Sequence, residues 1–310
     1  MTTAKGLSLM SGGLDSQLAI RVLERAGAYV EGVSFSTPFF KPAAAMKAAA
    51  ALGVKLHVVD FTDDEIALIE NPPHGFGGAM NPCIDCHATM IRRAGEMMRK
   101  FGFDFVSTGE VLGQRPMSQN RQSLAIVARD SGLEGRLVRP LSAQLLEPTL
   151  PETEGKLDRA KLLAIQGRSR EPQIALAKEL GIVDYPSPAG GCKLTEEGYS
   201  NKLRDLKDHE GLANRRLVEL LAVGRHFRLA DGTGVIVGRD ANENALLEKA
   251  AKEGRLGEHL APPADMKGPE ALLVDGAKSP ADRETAARII LSYCKNSGVP
   301  RGEFSAFHIL

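Results

Sequence analysis

Apolar and polar positions follow two rhythms along the first hundred residues. Short apolar runs at 6–10, 29–35, 54–60 and 103–108 predict strands, whereas 16–26, 43–52 and 88–101 have the spacing of amphipathic helices. Strands that alternate with helices over short connectors need right-handed crossovers and a parallel sheet covered on both faces. The expected fold class is therefore α/β, a doubly wound parallel sheet. Residues 71–81 (NPPHGFGGAMN) hold too much proline and glycine for either element and predict a mobile loop leading to Cys83. Farther on, 171–181 reads as a helix stopped by glycine, and 185–192 (YPSPAGGC) as a second loop that delivers a cysteine.

Beyond about residue 195 the rhythm changes. Residues 225–239 (RHFRLADGTGVIVGR) predict two strands around a turn at Asp231-Gly232, followed by a helix at 243–253, a strand at 272–275 and a helix at 279–295 with Pro280 early in its first turn. The organisation expected is a first domain over 1–195 and a smaller α+β module over 196–310. A length of 310 residues agrees with that, at about 150 residues per domain.

Composition narrows the class further. With 43% apolar and 25% charged residues the chain is neither disordered nor collagenous, and no run approaches the roughly 18 apolar residues of a membrane span. The start MTTAKGLSLM lacks a signal-peptide layout, so a cytoplasmic protein is expected, with no membrane partner. Lys+Arg and Asp+Glu both number 39, so contact with a nucleic acid has to come from local patches. Four cysteines are too few for a disulfide scaffold and read as ligands, nucleophiles or packing.

Ser11-Gly12-Gly13-Leu14-Asp15-Ser16 stands where the first strand meets the first helix. Two glycines let the backbone turn tightly against an anion, Ser11 and Ser16 offer hydroxyls, and the helix start offers free N–H groups. The string has neither the Lys-Ser/Thr end of a Walker loop nor the spacing of a dinucleotide GxGxxG. Asp15 would repel phosphate unless a cation lay between them, which predicts Mg²⁺ shared by Asp15 and a pyrophosphate.

This SGGLDS string resembles the signature of the PP-loop ATP pyrophosphatases, which split ATP into AMP and pyrophosphate to activate a carbonyl oxygen. Ser107 to Gln114 (STGEVLGQ) with Met117-Ser118-Gln119, and then Arg139-Pro140-Leu141, resemble segments of the tRNA thiouridine synthases in that superfamily. The resemblance spans Lys5 to about Thr195 and implies ATP as cofactor, with adenine near Phe35, Ser36 and Gly109. It also implies a tRNA uridine as substrate, 4-thiouridine being favoured over 2-thiouridine, and sulfide or a cysteine desulfurase as sulfur source. Neither a THUMP-type RNA-binding domain nor a rhodanese domain is expected within this chain. Residues 223–227 (VGRHF) and 235–244 (VIVGRDANEN) are similar to the RNA-binding module of the NFACT proteins.

Cys83-Ile84-Asp85-Cys86 places two thiols at i and i+3 near a helix start, where the dipole should favour thiolates and lower their pKa. Cys192 would bring a third. By resemblance to the cluster-dependent tRNA thiolases, Cys83, Cys86 and Cys192 would hold a 4Fe-4S cluster whose open iron could take hydrosulfide. Structural zinc with His87, a Cys192 persulfide resolved by Cys86, and plain packing remain as readings. A c-type haem on Cys83-to-His87 would need export. Catalytic roles are expected for Asp15, Cys86 and Cys192. Cys294 reads as a buried small hydrophobe. Arg92, Arg93, Arg115 and Arg121 are candidates for tRNA phosphates, and Arg215, Arg216, Arg225, His226, Arg228 and Arg239 for an RNA-facing surface. His57 in a core strand and His74 in a loop have no partner visible in sequence. A homodimer is compatible with all of this. So are two other classes, a PP-loop enzyme that thiolates or amidates a small molecule and a non-catalytic nucleotide- and RNA-binding factor.

Overall fold

The computed structural model describes residues 3–187 and 191–310, so residues 188–190 of the loop expected over 185–192 lie outside the described residues. The chain divides into two compact units, Met1–Cys192 and Lys193–Leu310, and the short helical turn Lys193–Thr195 groups with the second.

In the first unit, β1 (Lys5–Leu9), α1 (Leu14–Arg25), β2 (Tyr29–Ser36), α2 (Ala43–Leu52) and β3 (Leu56–Asp60) lead into α3 (Thr62–Glu70) and α4 (Cys83–Phe101). There follow β4 (Phe105–Ser107), α5 (Arg121–Asp130), β5 (Leu137–Val138), α6 (Leu150–Thr153) and α7 (Glu171–Glu179). The five strands form one parallel sheet in the order β3-β2-β1-β4-β5. Each strand sends alternate side chains to opposite faces. Val30, Met10 and Phe105 meet Leu18, Ala49 and Ala177 of α1, α2 and α7 on one side, while Leu7, Val33 and Val106 meet Ile91 and Val127 of α4 and α5 on the other. The connections leaving β1 and β4 thus diverge to opposite faces. In an open α/β sheet the crevice at such a switch point, at the carboxyl ends of the strands, is where ligands bind.

The second unit comprises α8 (Glu197–His209), α9 (Arg215–Leu220), β6 (Arg225–Arg228), β7 (Gly234–Val237), α10 (Ala241–Lys252), β8 (Gly257–Leu260), β9 (Ala271–Val274) and α11 (Pro280–Ser292). Its strands make an antiparallel sheet, β6-β7-β9-β8. The expected hairpin is present, with Arg225 opposite Val237 and Gly232 at a φ of +84° in the turn. Ala286, Ile289 and Ile290 of α11 cover Phe227, Val235 and Leu273, and Cys294 belongs to that apolar cluster, as the sequence suggests.

Candidate functional site

The Ser11–Ser16 loop is tightly constrained. Gly12 has a φ of +84°, and a Cβ there would stand 2.3 Å from the carbonyl carbon of Ala44, so only glycine lets the loop lie against the start of α2. The Ser16 hydroxyl donates to the Gly13 carbonyl (2.8 Å), Ser11 Oγ accepts the Gly13 N–H (3.3 Å), and the Gln17 amide donates to the carbonyls of Gly12 (2.9 Å) and Asp184 (3.0 Å). The two serines therefore already serve the shape of the loop. At the N-terminus of α1 no side chain caps the helix, because Gly13 occupies the cap position.

Asp15 sits in the first turn of α1. Burial raises its carboxyl pKa, against the Gln114 hydrogen bond and the fields of Arg170 and Arg115. Its Oδ2 accepts from Gln114 Nε2 (3.0 Å), Gln114 Oε1 accepts in turn from Gln173 Nε2 (3.5 Å), and its Oδ1 is buried without a hydrogen bond. Arg170 Nε is likewise buried and unpaired. An orphaned carboxylate oxygen and an orphaned guanidinium nitrogen at a phosphate-type loop suit a divalent cation and a polyphosphate. Sequence reasoning named Asp15 but missed Gln114, Gln173 and Arg170 as its supports. The GQR string and the helix start after Arg170 were the available signals.

Gly109 presses on the same loop: a Cβ there would lie 2.6 Å from the backbone carbon and oxygen of Asp15. Glu110 beside it is fully buried and accepts from Arg139 Nε (2.8 Å) and Thr108 Oγ1 (3.0 Å), with His87 Nδ1 3.1 Å away. Burial alone would raise the Glu110 carboxyl; Arg139 and His87 outweigh it and hold the group well below the usual carboxylate range. The TGE and RPL strings are thus two halves of one buried ion pair. Phe35, expected near adenine, packs edge-on to Phe61 (5.2 Å, 61°) inside the core and has no open ring face. Ser36 at the end of β2 is half-buried.

The thiols correct the expectation of lowered pKa values. Cys83 and Cys86 lie in the first turn of α4, which starts five residues earlier than its apolar spacing suggested. Burial drives the Cys86 thiol well above its ordinary value, reinforced by Glu65 and by the neighbouring thiols of Cys192 and Cys83. Cys83 is raised as well, again chiefly by burial, against the Ser118 hydrogen bond and Arg115. Desolvation exceeds the helix dipole here. Arg115 acts on both Asp15 and Cys83, which puts the loop aspartate and the first thiol within the field of one guanidinium. His87 is turned to Glu110 rather than to the thiols. Among the described residues no three His, Cys, Asp or Glu side chains are gathered around a point where a single metal ion would sit. Cys86, with the thiols of Cys192 and Cys83 near enough to raise it, is nevertheless part of a soft donor set whose charge a cationic iron-sulfur core would neutralise.

Several charged candidates have other duties. Arg93 forks onto Asp64 (2.9 Å) and Arg92 pairs with Glu96 (3.3 Å), while Arg121 donates to the Leu145 carbonyl (3.0 Å). In the second unit Arg228 is half-buried between Asp205 and Glu210 (2.6 Å each), and His226 is buried, its pKa pushed down to about 3 by burial and Lys202. These two belong to the interior rather than to an RNA-facing surface. Arg239 is paired with Glu243 and Arg215 with Glu219, whereas Arg225 and Arg301 lie over the Tyr293 ring at 4.6 and 5.0 Å. His57, on the edge strand β3 rather than in the centre of the sheet, meets Glu31 at 2.6 Å; His74 meets Asp85 (2.6 Å) and Asp130 (3.4 Å).

Residues 1–144 match the family model of the thiamine biosynthesis protein (ThiI), and residues 224–303 match that of the NFACT protein RNA binding domain. A tRNA-specific 2-thiouridylase MnmA of Sulfurimonas denitrificans is 36% identical over 115 residues, 33% of either chain. A probable tRNA sulfurtransferase of a Thermoanaerobacter species is 32% identical over 149 residues, 45% of this chain and 37% of that one. The chain spans about a third of the length of these curated relatives. A crystal structure described as a 4-thiouridine synthetase–RNA complex with bound ATP aligns at a TM-score of 0.42 and 19% identity, over 70% of this chain and 52% of that one. Among the described residues no helix is long and apolar enough to cross a membrane. In sequence, the first unit is similar to the PP-loop tRNA thiouridine synthases and the second to the NFACT RNA-binding domain.

Proposed function

We propose that the protein is an ATP-dependent tRNA sulfurtransferase. The observation that carries the reading is a PP-loop whose buried aspartate has an orphaned oxygen, in the same unit as the Cys83–Cys86 pair, with the charge of Arg115 felt by both Asp15 and Cys83. ATP would lie with its phosphates on the Ser11–Ser16 loop and the free amides of α1, Mg²⁺ between Asp15 and the pyrophosphate, and Arg170 beside the charge that builds as pyrophosphate leaves. Ser36 and the backbone at Gly109 would border the adenine. A uridine taken out of its stack attacks the α-phosphate through its carbonyl oxygen; the O–P bond forms, pyrophosphate departs, and the ring carbon becomes electrophilic. Sulfur at the sulfide level then bonds to that carbon and AMP leaves with the original oxygen. Cys83, Cys86 and Cys192 would hold a 4Fe-4S cluster, which when bound supplies an iron able to take sulfide. The second unit would add RNA contacts through its exposed arginines. The 4-thio product is favoured by the GEVLGQ segment, with 2-thiouridine as the other outcome.

The test is mass spectrometry of nucleosides from unmodified tRNA incubated anaerobically with reconstituted protein, ATP, Mg²⁺ and sulfide. A thionucleoside that is absent with Asp15→Asn and with Cys192→Ala supports the reading and identifies the base. AMP formation that tRNA does not stimulate, with no thionucleoside, would instead favour a small-molecule substrate.

A further inference from the structure

Among the described residues, Glu65 is a carboxylate near the cysteines that the sequence reading did not single out. It lies on α3, is 0% exposed, and neither of its oxygens makes a hydrogen bond of ordinary geometry. Its side chain faces the Cys86 thiol, and its field also reaches Cys83. A fully buried carboxyl whose one polar neighbour is the weak thiol donor of Cys86 is costly, so it marks a place where a stronger partner is missing. The neighbouring Asp64 forks with Arg93 and fixes the first turn of α3 against α4, which holds Glu65 facing the thiols.

We propose that Glu65 is an oxygen ligand to the iron-sulfur cluster of Cys83, Cys86 and Cys192, occupying the iron that the three thiolates leave open. The inference rests on the cluster assigned under the proposed function. A cubane core spreads its ligands more widely than a single ion, so the set need not converge on one point. A cationic core would give the Glu65 carboxylate a strong partner and offset the field that Glu65 and the neighbouring thiols exert on Cys86. The carboxylate is then the resting ligand, and incoming sulfide exchanges with it as one anion for another, with no change in iron oxidation state. That arrangement keeps the reactive iron closed until the sulfur donor arrives.

The experiment is Mössbauer spectroscopy of the full chain reconstituted anaerobically with ⁵⁷Fe and sulfide, together with the rate of iron loss to a chelator, for wild type, Glu65→Gln and Glu65→Asp. Nucleotide binding by each variant checks that the first unit is folded. In wild type one iron in four should have the signature of an oxygen ligand, and added sulfide should abolish it. In Glu65→Gln that signature should be absent without sulfide and iron should be lost about tenfold faster; Glu65→Asp should fall between. A loaded wild type whose spectrum and iron loss match those of a folded Gln variant overturns the inference and leaves the proposed function intact. Failure of wild type to take up any cluster overturns both the Glu65 ligand and the cluster, while a thionucleoside formed without iron would leave thiolation standing.

Discussion

Replacing Arg139 with methionine removes the cation from a pair in which both side chains are almost wholly buried, 6% exposed for Arg139 and 4% for Glu110. Glu110 would keep only Thr108 and the more distant His87. Stranding a buried charge in this way costs about 3–5 kcal/mol, a large share of the ~5–15 kcal/mol that holds a domain together. With a urea dependence of ~2 kcal/mol per molar, the unfolding midpoint of the first unit should drop by roughly 2 M, read by pulsed hydrogen exchange in peptides covering 103–112. The pH dependence has a definite sign. A carboxyl depressed in the folded state contributes stability at pH values above its unfolded value of 4.5 and loses it only as pH falls through the folded value. The wild-type pair should therefore persist into acid, and Arg139→Met should move the acid loss to higher pH. Adding Glu110→Leu to Arg139→Met removes the stranded charge and should recover a large part of the loss. A midpoint shift below about 0.5 M for the single variant would refute the reading of Glu110 and Arg139 as a buried ion pair on which the first unit's stability depends.

Gly109→Ala forces a methyl into the Asp15 backbone and should weaken nucleotide binding more than tenfold in a calorimetric titration; unchanged affinity would show that the approach is not needed. The raised thiols predict slow alkylation by iodoacetamide at pH 7 in metal-free protein, slower for Cys86 than for Cys83 and accelerating only at strongly alkaline pH; mass spectrometry of labelled peptides reads this, and fast labelling of Cys86 at pH 7 contradicts it. Burial pulls the Glu31 carboxyl up, but His57, Tyr29 and Lys55 outweigh it and hold it down, so its contribution is present above pH 4.5 and lost in more acid solution. His57→Phe should shift that loss to higher pH, measured as the acid midpoint by circular dichroism.

Much of the site was legible because it depends on backbone geometry. Gly12, Gly13 and Asp15 follow from what a loop must do to approach an anion, and the hairpin followed from Asp231-Gly232 between two apolar runs. What sequence concealed depends on who the neighbours are. The spacing of Cys83 and Cys86 reveals a helix start and its dipole, but not the depth of burial that reverses the pKa shift. Phe35 alternates correctly along a strand, yet alternation does not say which face is open. Arg228 and Arg93 look like surface cations until the tertiary fold brings them to Asp205, Glu210 and Asp64. The segment TDDEIALIE has only nine residues and no side-chain cap, so α3, and Glu65 with it, escaped the periodicity argument.

The missing cap on α1 has a consequence for the life of the protein in a cell. The amides of its first turn have no side chain to receive them from Gly13, so an anion seated on the loop finishes a helix that the chain itself leaves incomplete. Ligand occupancy and structural integrity are then the same quantity seen from two sides. Under the proposed ATP binding, a nucleotide concentration a hundredfold above its dissociation constant would add about 2.7 kcal/mol to the stability of the first unit, and depletion would remove it. Under that reading its resistance to proteolysis should rise and fall with nucleotide supply.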